Sequence, residues 1–446
     1  MTPYLLWALA CTDAPTTPKE SIAPLPESAP PLVLPDITVR GVIFIEVDTL
    51  RRDHLPQYGY ARNTMPHMAE YSWHQINGHY APASWTLPSV SSLLSSLEPA
   101  RHGVFASEGG GVPTSRFTSP SWPVALQGSG WATAVFTGNR WFSEVSGLGP
   151  LFETAYVAGK DETGQANLGV LMPQVLTWLD ALPEGNKFYL HLQPMDAHEP
   201  YLPRPEDLEV FREAALPFIV GEEGATPSQI ARVWADAPTR EDQREIESAV
   251  VDIYDAQLLG LDRSLYDLMN SLADRGLLAE TLVVFSSDHG ELLGDTGAGE
   301  FGHAIRWHQS EAQLPLLLLA PGIEGGTSDC LSMNLDLWPT IAGMIGAEPL
   351  GDIDGLDLRQ ACRGSVRGSD WSAPEILHDY GVASSLSALN HRCGSGREQG
   401  TPLGDDADAT EKTRAEKLED GAQLTTLLDE AYADVMAERP AAKCRN

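Results

Sequence analysis

Basic residues are scarce in this chain: 29 Lys and Arg stand against 62 Asp and Glu in 446 residues, a formal net charge of −33 with His neutral. So acidic a surface repels polyphosphate backbones and anionic headgroups, which excludes broad nucleic-acid binding and an electrostatic grip on membranes. Long hydrophobic runs are missing too; none approaches the ~20 apolar residues of a membrane-spanning helix. Internal repeats are also absent. What remains is a chain with 42% hydrophobic and 20% charged residues, enough apolar matter for a sizeable core and too little charge imbalance per residue to read as disordered. Soluble or surface-tethered enzymes and binding proteins are the classes left.

Residues 4–10 (YLLWALA) form a short apolar run ending at Ala10-Cys11. This reads as a lipobox in which cleavage exposes Cys11 for lipidation, although no Lys or Arg precedes it and an ordinary terminus is the competing reading. Residues 1–11 are then a lipoprotein signal, and 12–38, dense in Pro, Ser and Ala, an extended tether. The expectation is an exported protein with a lipid anchor as its membrane contact, a cytoplasmic one being the alternative. With Cys11 set aside, Cys330, Cys362, Cys393 and Cys444 allow three pairings, or four free thiols in a reducing compartment.

Short β-branched and apolar runs at 41–47, 132–137, 188–192, 281–286 and 315–320 have the pattern of strands buried on both faces. Helical spacing fills 88–97, 168–182 and 245–272. Strands alternating with helices predict an α/β domain over 39–364 with a mostly parallel sheet, and sites in the loops after strand C-termini. Residues 365–446 read as a small divergent subdomain: a Gly, Ser and Asp-rich stretch, then an amphipathic helix over 411–438 carrying Leu418, Leu424, Leu428 and Val435.

Two segments put polar groups directly after apolar strands: Asp48-Thr49-Leu50-Arg51-Arg52-Asp53, and Ser287-Asp288-His289-Gly290-Glu291. A carboxylate at the end of a buried strand is costly without a partner. Two of them with an adjoining imidazole suit a divalent cation, whereas each Asp alone also fits a loop-tying turn. In Ser84-Trp85-Thr86-Leu87-Pro88-Ser89, Thr86 opens a helix, either as its cap or as a hydroxyl nucleophile at the positive end of the dipole.

In order along the chain, Asp48-Thr49-Leu50-Arg51, Thr86-Leu87-Pro88-Ser89, Arg101-His102-Gly103, Asp196-Ala197-His198-Glu199-Pro200-Tyr201, Ser287-Asp288-His289-Gly290-Glu291, Leu314-Pro315-Leu316 and Asp336-Leu337-Trp338-Pro339-Thr340 resemble the sulfatase branch of the alkaline-phosphatase superfamily. The likeness runs from about residue 41 to 358. It implies an alkaline-phosphatase-like sandwich, a large sheet between helices. It implies one divalent metal ion (Ca, Mn or Zn) on Asp48, Thr86, Asp288 and His289, with Thr86 as nucleophile. His198 would contact the ester or protonate its leaving group, and His303 would lie near the substrate oxyanion. Arg51 with Asp53, and His102, match structural positions. A second metal would need Asp196, His198 and His303 as further ligands, and the closeness of Asp196 to His198 favours one metal.

Three departures bear on the chemistry. Family sulfatases carry Cys or Ser within Cys/Ser-x-Pro-x-Arg and oxidise it to formylglycine. Thr86 cannot give that aldehyde, Val90 replaces the supporting Arg, and Thr49 replaces a second acid. Relatives with a Thr nucleophile attack phosphorus and pass through a phospho-threonine. The expectation is therefore hydrolysis or transfer of a phosphate ester without formylglycine, on a small-molecule, lipid-linked or glycan ester. Sulfate-ester hydrolysis and a non-catalytic surface lipoprotein are the alternatives.

Overall fold

The computed structural model describes residues 28–105, 116–158, 166–212, 215–221, 223–305, 307–373, 376–383, 387–392, 397–402 and 443–444. Cys11, the first part of the tether, Cys393 and the helix expected over 411–438 lie outside the described residues. The described end of the tether packs on the domain: Leu32 and Ile37 are buried, and their amides donate to the carbonyls of Leu358 and Met344.

Among the described residues, nine strands make the main sheet: β1 (Gly41–Val47), β2 (His74–Tyr80), β3 (Ala132–Thr137), β4 (Thr154–Val157), β5 (Phe188–Gln193), β6 (Thr281–Ser287), β7 (Gln313–Leu314), β8 (Leu316–Leu319) and β9 (Gly326–Met333). Their order is β7-β2-β8-β6-β1-β5-β3-β4, with β9 on β2. From β6 to β4 every pairing is parallel, as is β9 on β2; β7 and β8 run antiparallel to their neighbours. The strands expected from sequence form within two residues of their predicted ends. β2 and β9 escaped notice because His, Gln, Asn and Ser interrupt their apolar pattern.

Strand periodicity divides the sheet into two cores. Ile43, Ile45, Leu190, Val283 and Phe285 face α2 (Leu168–Ala181) and α3 (Arg240–Asp274). Val42, Phe44, Tyr189, Leu282 and Val284 face α1 (Thr86–Ser95) and α4 (Asn334–Ile345). Each fully buried aliphatic or aromatic side chain contributes roughly 1.5–3 kcal/mol of burial. Sheet residues apolar on both faces are what a two-sided helical cover requires.

Among the described residues, the Gly, Ser and Asp-rich stretch after residue 364 holds extended chain. It forms antiparallel strands β10 (Val366–Ala373), β11 (Ile376–Ala383), β12 (Ser387–Arg392) and β13 (Arg397–Pro402), with Lys443–Cys444 parallel to β11. Their polar composition hides them from an apolar-run criterion. Cys330 is bonded to Cys362, so these two at least are not free thiols.

Candidate active site

The parallel register sets the site. Val47 of β1 is level with Ser287 of β6, so Asp48 and Asp288 leave adjacent strands side by side. On the other flank Thr137 of β3 is level with Gln193 of β5. One edge of the sheet therefore presents, strand by strand, Asp288, Asp48, Gln193 and Asn139.

The four residues read from sequence as a metal set come together. Donor atoms of Asp48, Asp288 and His289 all lie within 4.8 Å of one another. Thr86 Oγ1 is 3.5 Å from Asp48 Oδ2 and 3.3 Å from His289 Nε2. Thr86 is the first residue of α1, and no side-chain cap closes that helix; the capping role is not the one its hydroxyl takes. All four residues are buried.

Local structure explains why these strings hold. Thr49 sits at φ +58°, rare for a β-branched residue and costing about 1–3 kcal/mol. That turn lets its amide donate to Asp288 Oδ1 (3.3 Å) while its carbonyl accepts from Tyr254 (2.8 Å). Gly290 follows His289 because a Cβ there would stand 2.0 Å from the Ser310 carbonyl oxygen. Behind Asp288, Ser89 Oγ donates to its carbonyl (2.6 Å), and Asn334 Nδ2 donates to Ser89 Oγ (3.2 Å).

A cation fits these residues on two counts. His289 Nδ1 donates to the Gly290 carbonyl (2.9 Å), so Nε2 carries its lone pair toward Asp288 Oδ2 (3.5 Å) and Asp48 Oδ1 (3.7 Å). Burial, then the neighbouring His303 and His198, hold this imidazole well below its ordinary pKa and keep it neutral. Burial, then the charges of Asp48 and Glu46, push the Asp288 carboxyl well up. Asp48 Oδ1 is buried with no hydrogen-bond donor among the described residues. Acceptors converging on acceptors are unfavourable until a positive ion stands among them.

His198 and His303 join as a row of rings in contact: His303 lies 4.7 Å from His289, tilted against it, and 4.8 Å from His198, edge to face, centroid to centroid. His303 Nδ1 is 3.0 Å from Glu291 Oε1. Burial lowers the His303 pKa, but the Glu291 hydrogen bond and charge, with Asp48 and Glu199, outweigh it and leave the value raised. His198 Nδ1 is taken by the Glu199 carbonyl.

Other motif residues are structural. Arg51 pairs with Asp53 (2.6 Å) and Asp295 (2.7 Å), and His102 bonds Ser92 Oγ (3.1 Å). Asp336 accepts from Met333 N (2.8 Å) and from the Arg363 guanidinium (2.7 Å). Asp196 turns away from the cluster, its Oδ2 accepting from Leu168 N at the start of α2 (2.7 Å). Burial pushes its carboxyl up to about 7, against hydrogen bonds from backbone amides and the charge of Arg204. Between pH ~4 and ~7 the folded chain thus keeps a proton that the unfolded chain has lost, and stability falls as pH rises through that window. The shift corresponds to on the order of 4 kcal/mol. In urea unfolding across pH 4 to 8, Asp196→Asn should flatten this slope and be the more stable form at pH 8; parallel slopes would refute it.

Sequence reasoning missed Asn139 and Gln193. Asn139 Nδ2 donates to Asp48 Oδ2 (2.6 Å) and Thr86 Oγ1 (3.2 Å); Gln193 Nε2 donates to Asp288 Oδ2 (3.0 Å) and Asp48 Oδ2 (3.4 Å). Both stand at the same strand-end edge as Asp48 and Asp288, but as neutral side chains they lack the burial cost that singles out a carboxylate there.

This sheet, between two helical layers, has the alkaline-phosphatase-like fold. The chain belongs to the sulfatase family, whose model matches residues 40–347. It is similar to human arylsulfatase A, 26% identical over 350 residues that cover 71% of this chain and 66% of that protein. A choline-sulfatase of Rhizobium meliloti is 29% identical over 207 residues, covering 43% of this chain and 38% of the relative. The matched stretches thus span less than two thirds of these curated relatives. A solved structure in complex with its substrate D-glucosamine-2-N,6-O-disulfate superposes with TM-score 0.68 at 18% identity, covering 91% of this chain and 100% of the other. A phosphonate monoester hydrolase of Agrobacterium radiobacter gives 0.66 at 16%, covering 90% and 96%.

Proposed function

We propose that the chain is a metal-dependent ester hydrolase or transferase that acts on a phosphate ester through Thr86. The observation that carries this reading is the buried Thr86 hydroxyl at a helix start, within 3.5 Å of both Asp48 and His289. A divalent cation on Asp48, Asp288 and His289 would make that hydroxyl more acidic and offset charge on the ester oxygens. One imidazole nitrogen among oxygen donors shifts the preference from calcium toward manganese or zinc.

Thr86 Oγ forms the new bond to phosphorus as the bond to the leaving oxygen breaks in line. Its proton has an acceptor in reach, Asp48 Oδ2 at 3.5 Å, since the Nε2 lone pair of His289 would be taken by the cation. His198 gives a proton to the departing oxygen. His303, its charge supported by Glu291, faces the non-bridging oxygens. Water or an acceptor alcohol then releases the threonine ester. Arylsulfatase A and choline-sulfatase favour a second reading, a sulfate ester, and the glucosamine disulfate complex favours a glycan as its alcohol part. The Cys330–Cys362 bond supports an exported location; among the described residues no helix is long and apolar enough to cross a membrane. A lipid anchor on Cys11 belongs to this same reading.

Paired assays decide between esters. With manganese or zinc present, turnover of bis(4-nitrophenyl) phosphate should exceed that of 4-nitrophenyl sulfate by at least about 10²-fold, the margin expected when the site is matched to only one transition state. The reverse order would establish the sulfate reading.

A further inference from the structure

Gln193 is fully buried, and its carboxamide is only half used. The Nε2 side bridges the two acids, at 3.0 Å from Asp288 Oδ2 and 3.4 Å from Asp48 Oδ2. The Oε1 side has no hydrogen-bond donor among the described residues. A buried carbonyl without a donor is costly, so its persistence beside two carboxylates asks for a physical cause.

We propose that Gln193 Oε1 is a further ligand of the cation, reached by a half-turn of the amide. This rests on the reading that Asp48, Asp288 and His289 hold a divalent metal. Facing two bare carboxylates, the amide turns its N–H groups inward. A cation between them reverses the local field, and rotation about the terminal torsion exchanges oxygen for nitrogen at little steric cost, since that torsion is broad and roughly two-fold. The neighbouring amide cannot do the same. Asn139 Oδ1 is held by the Trp141 amide (2.8 Å) while its Nδ2 is bound to Asp48 and Thr86, so both ends are fixed. Gln193 has no such lock on Oε1.

Charge explains why an amide suits this position. Asp48 and Asp288 already supply two negative charges for a doubly charged ion, and His289 is neutral. A third acid would leave surplus charge in a buried site, whereas a carbonyl adds an oxygen donor and no charge. Thr49 Oγ1 is also buried with no partner among the described residues and is the natural competitor, but no hydrogen bond among them ties it to either carboxylate.

Manganese titration of the full chain by calorimetry, with a structure of the loaded protein, tests the assignment. Gln193→Leu should weaken Mn²⁺ affinity by about tenfold or more, Gln193→Glu should keep or tighten it, and Thr49→Val should leave it unchanged. In the loaded wild type Oε1 should lie about 2.2 Å from the metal. Wild type that binds Mn²⁺ with the amide nitrogen still on the carboxylates, and with Gln193→Leu unaffected, would overturn this assignment while leaving the metal site standing. Wild type that takes up no Mn²⁺ would remove the metal reading itself, and the assignment with it. Should Gln193→Leu fail to fold, the loaded wild-type structure decides.

Discussion

Replacing Thr86 with alanine is expected to cut turnover by ~10⁴-fold or more while the chain stays folded and keeps its metal. The hydroxyl would be the atom that bonds to the substrate, and no neighbour can take its place: Ser84 and Ser89 are buried, with Ser89 Oγ committed to the Asp288 carbonyl. The structural cost is small by comparison. Thr86 caps nothing, and Asn139 Nδ2, its hydrogen-bond donor, keeps Asp48 Oδ2 as acceptor. The melting temperature should therefore move by no more than about 1 kcal/mol of stability implies. Thr86→Ser, which keeps the oxygen, should retain measurable turnover. Mass spectrometry of the wild type quenched during turnover should find a phosphoryl group on the peptide holding Thr86. Full activity in Thr86→Ala would exclude the proposed nucleophile. Equal loss in the serine and alanine variants, with metal binding gone in both, would show that the residue only shapes the site.

Much of the fold and part of the site were legible beforehand, for reasons visible in particular residues. Strand β1 could be read because seven consecutive residues are buried between two helical layers, a burial pattern that leaves an apolar run in the sequence. Strands β10 to β13 could not, since polar residues such as Arg367, Asp370, His378, Asp379, Asn390 and Glu398 break up the apolar runs in them. Asp48 and Asp288 could be read because ionisable groups at buried strand ends need a reason. Neutral Asn139 and Gln193 raise no such alarm, although they stand at the same edge. The role of Glu291 was hidden for another cause: its partner His303 is brought to it by the short hairpin Leu292–Leu293 with Phe301–Gly302, which no apolar pattern announces. The closeness of Asp196 to His198 sets it aside as a ligand, and its oxygen instead accepts from Leu168 N at the start of α2.

The second large effect concerns Asp288. Asp288→Asn should lower divalent-metal affinity by ~10²-fold or more, above the 10–100-fold typical of losing a group that merely orients a ligand. The metal-free variant should meanwhile be no less stable than metal-free wild type, and this sign separates a metal ligand from a structural acid. Burial and the charges of Asp48 and Glu46 already disfavour the ionised Asp288. Its folded pKa is raised, so in the metal-free protein its contribution is fully present below the unfolded value near 4 and is lost as pH rises through the folded value. Near neutral pH an asparagine removes that penalty, while its oxygen can still accept from the Thr49 and His289 amides, as Oδ1 does now at 3.3 and 2.9 Å. Thermal melts with and without Mn²⁺ give the readout. Wild type should gain stability with added metal as mass action requires, about 2.7 kcal/mol at a hundredfold excess over Kd, and the variant almost none. A variant that melts well below wild type without metal, yet gains as much on adding it, would make Asp288 a structural acid and leave Asp48 and His289 without the partner that a cation site at this sheet edge requires.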